Sequence, residues 1–125
     1  MPNTRERNVF RWEGEYWTII FDRKTVRLRD SKGMRQLAML LRRPGEQIPA
    51  VDLYTAANRR DSSKRVMLAP SPENARLAVT KGLKTALERI AAAHPALGAH
   101  LAATLRRGYL CRYLPDPRKP IPWEE

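Results

Sequence analysis

The residues with most chemical character in this chain are cations. Between Arg76 and Arg112 stand seven basic residues, Arg76, Lys81, Lys84, Arg89, Arg106, Arg107 and Arg112, against one acid, Glu88. Ammonium and guanidinium groups bind phosphate and the O6/N7 edge of guanine, and a small hydroxyl such as Thr85 allows close approach. Lys84 could serve either purpose, a guanine edge or a phosphate alone. That chemistry calls for a rigid element holding the cations on one side.

The stretch from Ser71 to Ile90 supplies such an element. Ser71 can cap the first free N–H groups of a helix, Pro72 suits the first helical position, and Glu73 sits well at the positive end of the dipole. Val79, Leu83, Ala86, Leu87 and Ile90 recur at helical spacing and predict one apolar face. The opposite face carries Lys81, Lys84 and Thr85, with Arg76 and Arg89 at its margins. His94-Pro95 marks the stop. Gly82 lies mid-helix, a position that costs about 1 kcal/mol against alanine; close packing or close approach to DNA would each explain it.

Other chemistries find no residues to carry them. There is no Gly-x-Gly-x-x-Gly or Walker pattern, so no nucleotide cofactor is expected. His94 and His100 miss the four-residue spacing of helical metal ligands and have no acidic cluster beside them, so no metal site is expected. Cys111 reads as a small buried hydrophobe rather than a nucleophile. Asp52, Asp61 and Glu88 are scattered rather than paired. The chain is not expected to be an enzyme.

The rest of the chain must build the scaffold. Asn8 to Glu13, Glu15 to Phe21 and Thr25 to Arg29 read as three short strands with turns at Gly14 and Asp22-Arg23-Lys24, an antiparallel meander that is too small to stand alone and has to pack on the helices. Asp30-Ser31 can cap a first helix with Met34, Leu37, Ala38, Leu40 and Leu41 as its stripe, ended by Arg42, Arg43, Pro44 and Gly45. A second helix spans roughly Ala50 to Asn58. Arg59 to Pro70 lacks periodicity and reads as a loop. Ala96 to Leu101 suggests one or two helical turns. From Ala103 to Leu114 a β-hairpin with Arg107-Gly108 at its tip competes with a helix continuing to Arg107 and capped by Gly108. The segment 115–125 is a proline-rich extended tail that Trp123 could pin to the body, and 1–8 is a polar arm, leaving 9–114 as one domain.

The 125 residues suffice for a single core, and the net charge of +11 favours an anionic partner. With one cysteine an internal disulfide is impossible, which together with the absence of a leader-like or membrane-spanning run points to the cytoplasm and to no membrane partner.

The element order, an antiparallel sheet, three main helices and a C-terminal hairpin, resembles the winged helix-turn-helix effector domain of OmpR-type response regulators. The local likeness is best from Val26 to Ile48 and in Thr104-Leu105-Arg106-Arg107-Gly108-Tyr109-Leu110-Cys111-Arg112-Tyr113, similar to a wing in which an arginine and a glycine precede an aromatic. Glu15-Tyr16-Trp17-Thr18 and Ala92-Ala93-His94-Pro95-Ala96-Leu97-Gly98 also resemble a winged-helix-like segment of large bacterial regulators that carry an AAA-type ATPase. The resemblance implies an α+β winged helix-turn-helix fold and sequence-specific binding of double-stranded DNA by a bacterial transcription regulator associated with the nucleoid. Helix 72–93 would enter the major groove through Arg76, Lys81, Lys84 and Thr85, with Arg89 as a further DNA-binding residue. The 103–114 wing would reach flanking backbone or the minor groove through Arg106, Arg107 and Arg112. A homodimer would extend the few base pairs that one helix reads. The alternative is an adaptor that docks an ATPase, a sigma factor or RNA polymerase.

Overall fold

Successive side chains of a strand point to opposite faces of its sheet, so a sheet can bury one face against helices. The computed structural model describes residues 8–59, 71–118 and 122–124. β1 (Asn8–Trp12), β2 (Tyr16–Phe21) and β3 (Lys24–Arg29) form an antiparallel meander with Ile19 paired to Phe10 on one side and Val26 on the other. Trp17 and Ile19 are fully buried, while Tyr16, Arg27 and Arg29 stay exposed. The two-residue turn Asp22-Arg23 has positive φ at both positions (51° and 64°), the type I′ conformation that matches the twist of a hairpin.

Ser31 accepts a hydrogen bond from the Met34 amide and starts α1 (Lys32–Arg42), whose Met34, Leu37, Ala38, Leu40 and Leu41 are buried as the spacing predicts. Asp30 is not the cap. Its carboxylate accepts hydrogen bonds from Trp17 Nε1 (2.7 Å) and from Arg35 (2.6 Å), and Arg35 also donates to the Ala57 carbonyl (2.8 Å). Burial pushes the Asp30 carboxyl up, but the Arg35 and Trp17 hydrogen bonds and the Arg35 charge together outweigh it, so its pKa lies below 3.8.

After a two-residue strand, β4 (Ile48–Pro49), come α2 (Ala50–Arg59) and α3 (Pro72–Ala93), then α4 (Pro95–Thr104), β5 (Leu105–Arg106), β6 (Leu110–Tyr113) and β7 (Trp123–Glu124). α3 packs on α1, α2 and α4. One contiguous core joins both sheets to the helices through Trp17, Leu37, Leu53, Leu83, Leu97 and Tyr113.

The architecture is α+β, and it departs from the sequence reading in its counts. There are four helices rather than three among the described residues. The segment after Pro95 is helical to Thr104 and turns into a strand at Leu105, so the two alternatives for 96–107 each hold for part of it. The hairpin gains a third strand, giving the order β4-β6-β5 with Ile48 opposite Cys111. The first sheet gains a fourth, in the order β3-β2-β1-β7, because Trp123 and Glu124 pair in parallel with Asn8 and Val9. Trp123 thus pins the final strand to the body, one of the two outcomes the sequence left open. Of the expected loop 59–70, Arg59 ends α2 and 60–70 lie outside the described residues, as do 1–7 of the polar arm.

One aromatic cluster ties these late elements together. Phe21 of β2 lies near-parallel to His100 of α4 (centroids 5.5 Å apart) and to Trp123 of β7 (5.7 Å). The Tyr113 hydroxyl of β6 lies 2.8 Å from His100 Nε2 and accepts from Trp123 Nε1 at 3.2 Å. Beside it His94 caps α4: its Nδ1 accepts from the Leu97 amide (3.2 Å), so Nε2 carries the proton and donates to the Phe21 carbonyl (2.7 Å).

Candidate nucleic-acid interface

The cap expected for α3 is formed: Ser71 Oγ accepts from the Asn74 amide at 3.1 Å, with Pro72 at the first helical position. Ala75, Val79, Leu83, Ala86 and Ile90 are buried and fix the helix's rotation. At 100° per residue, that rotation turns Lys81, Lys84 and Thr85 outward, and all three are exposed. Leu77 and Glu88 share this outer face, and Leu77 is 51% exposed.

Gly82 faces the other way. It meets Gly33 of α1, where a Cβ built on Gly33 would stand 2.2 Å from the Gly82 carbonyl oxygen. The mid-helix glycine is therefore a helix-crossing device, and of its two explanations packing is the one realised.

The three-stranded sheet holds the other basic residues. Cys111 and Tyr113 point into the core, so alternation turns Leu110 and Arg112 outward. Arg106 and Arg112 are direct cross-strand partners. Like charges facing each other across a pair repel, and an anion placed between them would relieve that repulsion. Among the described residues Arg106 donates to the Ala103 and Leu105 carbonyls, and Arg107 at the turn is exposed. Lys81, Lys84, Arg89, Arg106, Arg107 and Arg112 form no ion pair with a carboxylate among the described residues.

Arg76 is used differently. Its guanidinium is 2.7 Å from Glu73 and lies over the Tyr109 ring, 5.2 Å from the centroid, while the Tyr109 hydroxyl donates to the other Glu73 oxygen at 2.5 Å. The Arg76 and Tyr109 hydrogen bonds hold the Glu73 carboxyl below its ordinary value. This Glu73–Arg76–Tyr109 contact joins the first turns of α3 to the hairpin. The carbonyl of Tyr109 also accepts from the Ala50 amide at the start of α2 (2.8 Å).

Helix and hairpin are thus fastened at the helix's N-terminal end, with Lys81, about 8 Å further along α3 than Arg76, beyond the joint. The basic residues were legible from charge alone. The joint was not, since nothing local marks Glu73 and Tyr109 as neighbours across 36 residues. No protein-family model matches the chain, and no curated protein or solved structure is significantly similar to it.

Burial pushes the Cys111 thiol up, and it donates to the Gly108 carbonyl. No helix among the described residues is long and apolar enough to cross a membrane.

Proposed function

We propose that this chain binds double-stranded DNA sequence-specifically as a bacterial transcription regulator of the nucleoid, with a winged helix-turn-helix related to OmpR-type effector domains. The carrying observation is the set of six cations on α3 and the hairpin without carboxylate partners among the described residues, on two elements that Glu73, Arg76 and Tyr109 hold together. Cations without a carboxylate beside them fit a polyanion that supplies the missing charge.

The element order supports the same reading. The strand between the first two helices pairs with the C-terminal hairpin and ties it to the helical body, and α4 is an addition between recognition helix and wing. The outer face of α3 enters the major groove, which is about 12 Å wide and admits a helix. Lys81, Lys84 and Thr85 face the base edges and the groove walls. Arg89, Arg106, Arg107 and Arg112 contact phosphate on either side, while Arg76 positions the wing instead of the DNA.

Selection from a pool of random duplexes at near-physiological salt tests this. Wild type enriches one motif, and Lys81→Ala/Lys84→Ala loses the enrichment. Weak, salt-sensitive binding with no motif, the same in both proteins, sinks the recognition-helix reading.

A second reading has its own observation. Leu77, Tyr109 and Leu110 are each about half exposed and belong to the same two elements. An adaptor that docks an ATPase, a sigma factor or RNA polymerase would use such side chains as anchors. It predicts that Leu77→Ala/Leu110→Ala abolishes capture of the protein partner while leaving duplex binding unchanged.

A further inference from the structure

The Tyr113 hydroxyl sits between two nitrogens that ask different things of it. The Trp123 indole can only donate, so the hydroxyl accepts there. Among the described residues its own proton then has one acceptor in reach, Nε2 of His100. Tyr113 is fully buried, out of reach of solvent. The chain of bonds therefore runs Trp123 Nε1–H to Tyr113 Oη–H to His100 Nε2, and it requires His100 to be neutral with its proton on Nδ1.

β7 depends on this chain. It is two residues long and, among the described residues, paired at Asn8–Trp123 and Val9–Glu124. Trp123 is one of its side-chain anchors, half-buried against Phe10 and Phe21. Short strands with few buried contacts open at a small fraction of the cost of global unfolding.

We propose that β7 is an acid-released latch. Protonation turns His100 Nε2 from acceptor into donor, leaves the Tyr113 hydroxyl proton without a partner, and lets Trp123 and its strand leave the edge of β1. His94, the second imidazole at the cluster, cannot compensate, because both its nitrogens are engaged by Leu97 and Phe21. The charged side chains on the surrounding elements are Asp22, Arg23 and Lys24 beside Phe21, Arg106 and Arg112 on the hairpin, and Glu124 on β7. Burial holds the His100 imidazole pKa below its ordinary value. The closed state therefore holds fewer protons than the open one, so closure is fully favoured above the ordinary histidine value and weakens as pH falls through it.

Proton–nitrogen NMR spectra of the full chain between about pH 8 and about pH 5 test the latch, a span that brackets the ordinary histidine range. Trp123→Phe identifies the Trp123 indole signal. In wild type that signal moves towards the free-indole position and loses its exchange protection on the acid side, while the Trp17 indole, bonded to Asp30, stays where it is. In His100→Gln, which keeps an acceptor that does not titrate, the Trp123 signal is flat with pH. In Tyr113→Phe it is already unprotected at neutral pH. A wild-type Trp123 signal that never moves, one that titrates equally in His100→Gln, or one that is lost together with Trp17, overturns the proposal. If His100→Gln does not fold, the wild-type contrast between Trp123 and Trp17 and the Tyr113→Phe spectrum still decide it.

Discussion

At Gly33 and Gly82 two helices approach closely enough that a single methyl matters. A Cβ on Gly33 would run into the backbone carbonyl of Gly82, which cannot swing aside; a Cβ on Gly82 would meet the end of the Gln36 side chain at 3.3 Å. Overpacking costs about 1–3 kcal/mol, whereas alanine in place of a helical glycine gains about 1 kcal/mol of propensity. Gly33→Ala should therefore unfold at lower denaturant than Gly82→Ala, with a gap of about 2 kcal/mol that equilibrium unfolding of the two variants would measure. The Asp30–Arg35 pair, with side chains only 10% and 12% exposed, sets a second expectation. Because the folded pKa of Asp30 lies below 3.8, its contribution is complete above that value and is lost as pH falls through the folded pKa. Asp30→Asn should reduce stability at neutral pH and flatten its decline between neutral pH and about pH 3, as unfolding curves at both would show. Sequence alone placed Asp30 beside the helix start but suggested a cap. It could not show that Trp17 and Arg35 draw the carboxylate away, because that geometry exists only once sheet and helix have docked.

Elements with long periods or caps were the legible ones. Trp17 and Ile19 marked β2, Leu37 and Leu41 marked α1, and Ser71-Pro72 fixed the start of α3 to the residue. Ser71→Ala should cost about 1 kcal/mol through the lost cap alone, a change that thermal unfolding would resolve. The illegible elements are short or uniform. β4, β5 and β7 are two residues each, too short to show alternation, and exist because a partner strand offers free backbone groups. α4 is apolar nearly all round, so it has no stripe to read, and its Gly98 lies against Ala91 of α3, where a Cβ would stand 2.6 Å from the Ala91 Cβ. The hairpin's docking on α3 rests on Tyr109. Tyr109→Ala should leave the overall unfolding midpoint nearly unchanged, since the contact is exposed, yet speed hydrogen exchange at Leu110 and Arg112.

For the whole molecule, the net charge of +11 acts as a field rather than as a set of pairs. In the proposed complex every phosphate contact releases counterions, so affinity falls with salt at a slope of about 0.9 per contact. Arg107→Ala should make that slope shallower by about one while leaving the selected motif unchanged, and titrations at several salt concentrations would separate the two effects. The parallel pairing of β7 with β1 has a consequence of a mechanical kind. Asn8 and Trp123 lie on neighbouring strands, about 4.8 Å apart, so the chain enters and leaves the domain at nearly the same point. A pull applied through residue 8 in one direction and residue 124 in the other runs along both strands and loads their bonds in shear. The tension meets that two-residue clamp before it reaches the core, so the domain would answer a stretch by letting go of its last strand while the rest keeps its shape.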